Sequence, residues 1–251
     1  MMKFRGMLPP DPAVPRQTFA SLFHSDLLPP TPASFGQQAL VDDWGMLGND
    51  QAGDCMFAGM AHAVMYLRAQ IGESVTFSDA GVLADYGAVT GYVPGNPSSD
   101  IGTSVDEGMA YWQRTGIADS TGVRHRIDGF ATVAPGDVTT LLRAAFLLGG
   151  AGIGFALPDS AEKQFDDAEP WDVIPGDTAG DGHYVPLIAL NSKGNLLIVT
   201  WRRIQAVTPA FVRKYMIFGA APLSLEWIRN SVSPRGVNEE ALAAYLAGLP
   251  K

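Results

Sequence analysis

The chain has 251 residues, 47% of them hydrophobic and 17% charged, with a formal net charge of −9. An apolar-rich, charge-poor chain of this length buries a sizeable core and does not read as disordered. With 17 basic against 26 acidic residues and no basic run, it offers no Lys/Arg face for nucleic acid and nothing that docks on an anionic membrane. Its single cysteine excludes an intramolecular disulfide and a multi-cysteine zinc site.

The start, MMKFRGMLPPDP, lacks the apolar stretch of a secretory signal. Seven of the 18 prolines lie between Pro9 and Pro32, in LPPDPAVP and LLPPTP. Proline fixes φ and removes a backbone donor, so residues 1–40 are expected to be extended rather than helical. They form either a flexible leader or an arm lying along the body or a partner. From Cys55 the spacing of Phe57, Met60, Ala61, Val64 and Leu67 predicts a helix, with Asp54 as its cap and Gly72 near its end. Ser78 is placed to cap a second helix, residues 95–104 read as a loop, and Val105 to Thr115 carries an apolar stripe of Val105, Met109 and Trp112.

The second half changes character. Pro135 to Leu148 reads as a helix, and Ala151 to Leu157 as a glycine-rich apolar strand whose glycines permit close packing. Ala144 to Leu157, the longest apolar run, has 14 residues, short of the ~20 that span a bilayer. His183 to Leu190 and Asn195 to Trp201 are apolar strands split by the turn Asn191 to Gly194, a hairpin signal. Phe211 to Phe218 is a strand or a short helix. Helices first and mostly strands later predict an α+β fold with segregated lobes. The divisions are a Pro-rich arm over 1–40, a helical lobe over about 41–125, a β-rich lobe over about 126–220 and a helical segment over about 221–251.

Cys55 is the sharpest chemical candidate. A helix N-terminus favours a thiolate, and the loop GNDQAGD leading into it allows close approach of a substrate. The adjacent Asp54 acts the other way, because an anion raises a thiol pKa. A thiol nucleophile needs a base. His24 lies in the arm, and His125, in RHR, reads as a solvated turn. His62 lies two helical turns beyond Cys55, ~10 Å along the axis. His183 opens an apolar strand after a polar loop, where a strand mouth can face a helix N-terminus across a cleft. Asp166, Asp167 and Glu169 read as a solvated acidic loop, and Asp177 and Asp181 flank the loop before His183. No calcium loop and no nucleotide-binding glycine motif occurs, so neither a metal nor an organic cofactor is expected.

The order of polar loop, cysteine at a helix start, distant histidine at a strand start and strand ending in Trp resembles the papain-like cysteine peptidase fold. The carrying segments are DDWGMLGNDQAGDCMFAGMAHAV, DIGTSVDEGMAYWQRTGI and GDGHYVPLIALNSKGNLLIVTW. The resemblance implies a helical lobe carrying the nucleophile, an antiparallel β-barrel-like lobe, and a cleft between them. It implies Cys55 as nucleophile, His183 as base and then acid, and Asn49, six residues before Cys55, as oxyanion-hole amide beside the Cys55 N–H. Gly53, Gly102, Thr103 and Gly182 would line the substrate cleft. The sequence departs from the family in four places: Thr200 stands where an orienting Asn is usual, Asn49 is one methylene shorter than Gln, Met56 replaces Trp, and Pro186 interrupts the His strand. More closely, WGMLGNDQAGDC resembles a motif of phage-encoded and bacterial proteins. That implies a location in a host-cell cytoplasm or a virion. Two functions follow: a peptidase or isopeptidase acting on protein or peptide, or a virion component whose arm, residues 1–40, contacts phage structural proteins.

Overall fold

The structure, a computed structural model, describes residues 3–22 and 30–227. The N-terminal segment holds β1 (Met7–Leu8), α1 (Phe19–Leu22) and a 3-10 turn, Gln38–Leu40. The helical part comprises α2 (Cys55–Gln70), α3 (Asp79–Thr90), β2 (Thr103–Ser104) and α4 (Val105–Arg114). A short hairpin, β3 (Ile117–Ala118) and β4 (Arg124–His125), follows. Then come β5 (Gly129–Val133), α5 (Val138–Leu148), β6 (Ala151–Ala156), α6 (Ser160–Asp166), β7 (Gly182–Leu190), β8 (Leu196–Thr200), β9 (Arg203–Val207), α7 (Pro209–Tyr215) and β10 (Met216–Leu223). The arrangement is α+β.

Local chemistry sets most helix starts. Ser78, Ser104, Asp137 and Thr208 each accept a hydrogen bond from a backbone N–H of the first turn of α3, α4, α5 and α7. The cap at Asp137 starts α5 three residues later than Pro135. At α2 the expected cap is not made: Asp54 forms no side-chain capping bond. Its carboxylate is turned to the Asn49 amide instead, at 3.1 Å.

Six strands form one antiparallel sheet in the order β5-β10-β6-β7-β8-β9. The sheet separates two apolar cores. On one face α5, α6 and α7 cover Val185, Leu187, Leu196 and Ile198; on the other, α2, α3 and α4 cover Tyr184, Ile188, Leu197 and Val199. In β8 the two sets alternate cleanly, as the pleat requires. In β7 the alternation slips at Ile188 and Ala189, which share one face, where the register with β8 shifts between Leu187 and Ala189. Pro186 does not break β7; the strand runs through it, opposite Gly152. The β6 glycines make room: a Cβ on Gly152 would overlap the Tyr184 hydroxyl. From α2, Gly59 lets the Tyr184 ring approach.

Several expectations change. The N-terminal segment is not wholly extended, since it holds α1 and the 3-10 turn. Residues 95–104 are not purely loop; they include a 3-10 turn at Pro97–Ser99 and β2. Phe211 to Phe218 divides between α7 and β10. Of the closing segment expected to be helical, Ala221 to Leu223 belong to β10 and Leu225–Trp227 form a 3-10 turn; residues 228–251 lie outside the described residues, as does His24. His125 is buried, with Nε2 3.1 Å from Asp119 Oδ2, and is no solvated turn. No helix among the described residues is long and apolar enough to cross a membrane.

Candidate active site

The first residue of α2, the second of β7 and the last of β8 converge. Cys55, His183 and Thr200 line one small cavity of about 10 Å³, together with Asn49, His62 and Trp201. The His183 Nε2 lies 2.7 Å from Thr200 Oγ1, and its Nδ1 has no partner. When Nε2 carries the proton and donates to Thr200, Nδ1 is a bare lone pair. The ring stacks on Trp201, with centroids 4.7 Å apart and planes 27° apart. Trp201 and Arg202 form the two-residue turn joining β8 to β9, both with positive φ (45° and 71°). Asn and Gly are the residues that suit such a turn, so side chains here carry backbone strain. The turn sets Trp201 against the imidazole, while Arg202 makes two bonds to Asp43.

Asn49 does not present a free amide to the cavity. Its Nδ2 donates to Ala52 O at 3.2 Å and to Asp54 Oδ1 at 3.1 Å, which uses both hydrogens. In this arrangement Asn49 braces the loop, and the Cys55 N–H, as a first-turn amide, has no acceptor within its helix. Asp54 is fully buried, so its carboxyl is held well above the usual carboxylate range.

The predicted cleft residues also come together, and the chain's own N-terminal segment lies among them. Phe4 N donates to Asn49 O at 3.1 Å, and Thr103 N donates to Gly6 O at 2.7 Å. Met7 and Leu8 then pair in parallel with Thr103 and Ser104. The clearances are close. A Cβ on Gly102 would overlap the Gly6 carbonyl, one on Gly182 the Met7 carbonyl, and one on Gly6 the Gly53 carbonyl. Met7 is buried, and a Cβ on Gly154 would lie 2.5 Å from its sulfur. Arg5, with a side chain only 8% exposed, donates to Leu157 O (3.1 Å), Asp159 (3.0 Å) and Glu162 (2.7 Å). Lys3, 7% exposed, meets Asp166 at 2.5 Å and lies over the rings of Phe165 and Trp201, 5.1 and 5.6 Å from their centroids. Asp166 is therefore the seat of a lysine rather than part of a merely solvated loop.

Burial sets the electrostatics. Burial pushes the Cys55 thiol up to about 11; the backbone amides of Tyr184, Gly6 and Met7 oppose that rise, and Asp54 adds to it. Burial pushes His183 down to about 3, and the Arg5 guanidinium adds to the shift. At neutral pH the pair is therefore thiol and imidazole, without an ion pair. The groups that the segment turns toward the sulfur include the backbone N–H donors of Gly6 and Met7.

Sequence reasoning missed Arg5, Gly6 and Met7 as cleft residues. Their one signal was the Lys-x-Arg pair opening an acidic chain. It also missed a link between the cleft walls: Asp100 accepts from Gly53 N (2.9 Å) and from the Tyr86 hydroxyl (2.5 Å), which in turn accepts from Gly102 N (3.0 Å).

No family model and no curated protein matches the chain. Solved structures do. The chain is similar to xylellain, a cysteine protease from Xylella fastidiosa, with TM-score 0.64 and 14% identity over 89% of this chain and 97% of that one. It is similar to procathepsin L2 from the larval midgut of Tenebrio molitor (TM-score 0.62, 15% identity, 89% and 78% covered). It is likewise similar to procathepsin B S9 from Trypanosoma congolense (0.60, 13%, 87% and 86%). The fold is that of the papain-like cysteine proteases.

Proposed function

We propose that this chain is a papain-like thiol hydrolase of peptide or isopeptide bonds, seen here in a latent form. The carrying observation is the His183 ring, anchored through Nε2 to Thr200 with Nδ1 unpartnered in the cavity that Cys55 lines. Once the N-terminal segment leaves, the dyad rehydrates and Nδ1 takes the thiol proton. The thiolate attacks the substrate carbonyl, and the Cys55 N–H donates to the developing oxyanion. His183 then returns the proton to the leaving amine, and water releases the acyl group by the same path. Thr200 fixes the ring, as the third member of such a triad positions rather than reacts. No step calls on a metal or organic cofactor.

The seating of residues 3–8 in their own cleft favours latency over an arm that wraps a phage structural partner. The test uses the full chain with Gly6→Val, which removes the clearance beside Gly53. Hydrolysis of a fluorogenic peptide library by this variant, absent from Gly6→Val/Cys55→Ala, is the expected result. No hydrolysis, with Cys55 no more reactive than in the unaltered chain, overturns the reading.

A further inference from the structure

The site the segment occupies is built for cations. Asp159, Glu162 and Asp166 lie on or just before α6, and the Leu157 carbonyl lies beside them. They hold two basic side chains from alternate positions of an extended segment. Those side chains are only 7% and 8% exposed, unusual burial for Lys and Arg, which are normally solvated. Phe165 and Trp201 supply an aromatic floor under Lys3; Phe165 stacks edge-on against Trp201 and also carries the Arg203 guanidinium, 3.6 Å from its centroid. This floor is continuous with the catalytic cavity, because Trp201 also stacks on His183. The walls belong to the body of the protein, so they remain when the segment departs.

Resting on the proposed hydrolase reading, we infer that the released enzyme selects substrates with basic side chains, Lys or Arg at alternate positions, on the α6 side of the scissile bond. The Asp159/Glu162 pair and Asp166 are the specificity-determining residues, and the N-terminal Lys3-x-Arg5 is a mimic of that substrate feature. Backbone direction need not be shared, since the segment turns N–H groups to the sulfur and a substrate must turn a carbonyl. The side-chain seats are the same for both.

The experiment uses the full chain with Lys3→Glu/Arg5→Glu, which repels the segment from its acidic seats and leaves them vacant. A peptide library varying Lys, Arg, Ala and Glu at each position around the cleaved bond is assayed for kcat/KM. The carboxylate partners are 65%, 97% and 39% exposed, so solvent screens these pairs, and a preference of about fivefold for the basic residue is expected. Asp159→Asn/Glu162→Gln in the same background should reduce it to under about twofold. Binding of Lys-x-Arg and Glu-x-Glu peptides to the charge-reversed chain carrying Cys55→Ala, read by fluorescence anisotropy, removes the dependence on turnover. Turnover without basic preference overturns this inference and leaves the hydrolase standing. Selective binding without turnover supports the cationic seat and overturns the hydrolase. Equal binding of both peptides overturns the inference whatever the turnover.

Discussion

His62 and His183 line the same cavity, and burial pushes both imidazoles below their usual range, to about 4 and about 3. They differ in what their rings have left over. The His62 Nε2 faces two carbonyls, Trp44 O at 3.0 Å and Gly45 O at 3.2 Å, so it must carry a proton and is held as a loop brace. The His183 Nε2 faces a hydroxyl, and its Nδ1 has no hydrogen-bond partner. Burial alone suppresses charge on both. Only the ring with an unsatisfied nitrogen beside a thiol is equipped to move a proton.

Removing each group in the Gly6→Val background separates the two histidines. Cys55→Ala should abolish hydrolysis outright. His183→Gln should cost roughly 100-fold or more in kcat/KM, the usual scale for a general base. His62→Gln should instead lower the melting temperature and leave the pH–rate profile in place. A His62 effect on the profile equal to that of His183 would erase the distinction.

Next in size is Thr200. Thr200→Val removes the hydrogen bond to Nε2 at nearly constant volume, and a loss of about tenfold in kcat is expected, with Thr200→Ser restoring most of it. A Thr200→Val enzyme of undiminished kcat would show that the stack on Trp201 suffices to hold the ring.

Acid should loosen the plug. The covered His183 stays neutral until about pH 3, whereas an uncovered imidazole takes a proton near 6.5. Its contribution to the closed form is therefore complete above pH 6.5 and is lost as the pH falls from 6.5 toward 3. Asp166, held below its usual range by Lys3, acts in the same direction at the acid end. Hydrogen-exchange protection of the Phe4 and Thr103 amides should fall between pH 6.5 and 4, and His183→Gln should flatten that fall. Protection independent of pH would detach the plug from the histidine.

The smallest effect concerns Asp54. Its raised pKa means that folding is penalised as pH climbs above 3.8, where the unfolded carboxyl ionises and the buried one resists. Asp54→Asn should raise the melting temperature at pH 8 more than at pH 4. Equal shifts at both would place the carboxyl in contact with solvent.

What could be read in advance follows the range of the interactions. Cys55 and His183 stood out because a helix start and a strand start are local patterns, and Thr200 because it stands where the resemblance implies an orienting Asn. The plug did not, because Arg5 meets residues more than 150 positions away and no local pattern encodes that meeting. Nor could spacing reveal that Asn49 turns its amide to Asp54: two polar side chains five apart in a loop have many equivalent arrangements, and burial of the carboxyl selects one. The Asp100 and Tyr86 link was hidden for the same reason.

The segment's hold on the dyad is read from the rate of Cys55 alkylation by iodoacetamide against pH, in the unaltered chain, in Gly6→Val and in Gly6→Val/His183→Ala. A slow reaction is expected in the unaltered chain, rising only at alkaline pH, as for a thiol pushed up to about 11. In Gly6→Val the reaction should be fast, with a plateau reaching below pH 7 that is lost when His183 is removed. A Gly6→Val profile that climbs through an ordinary thiol pKa of about 8.5, with or without His183, would show that no activated dyad forms.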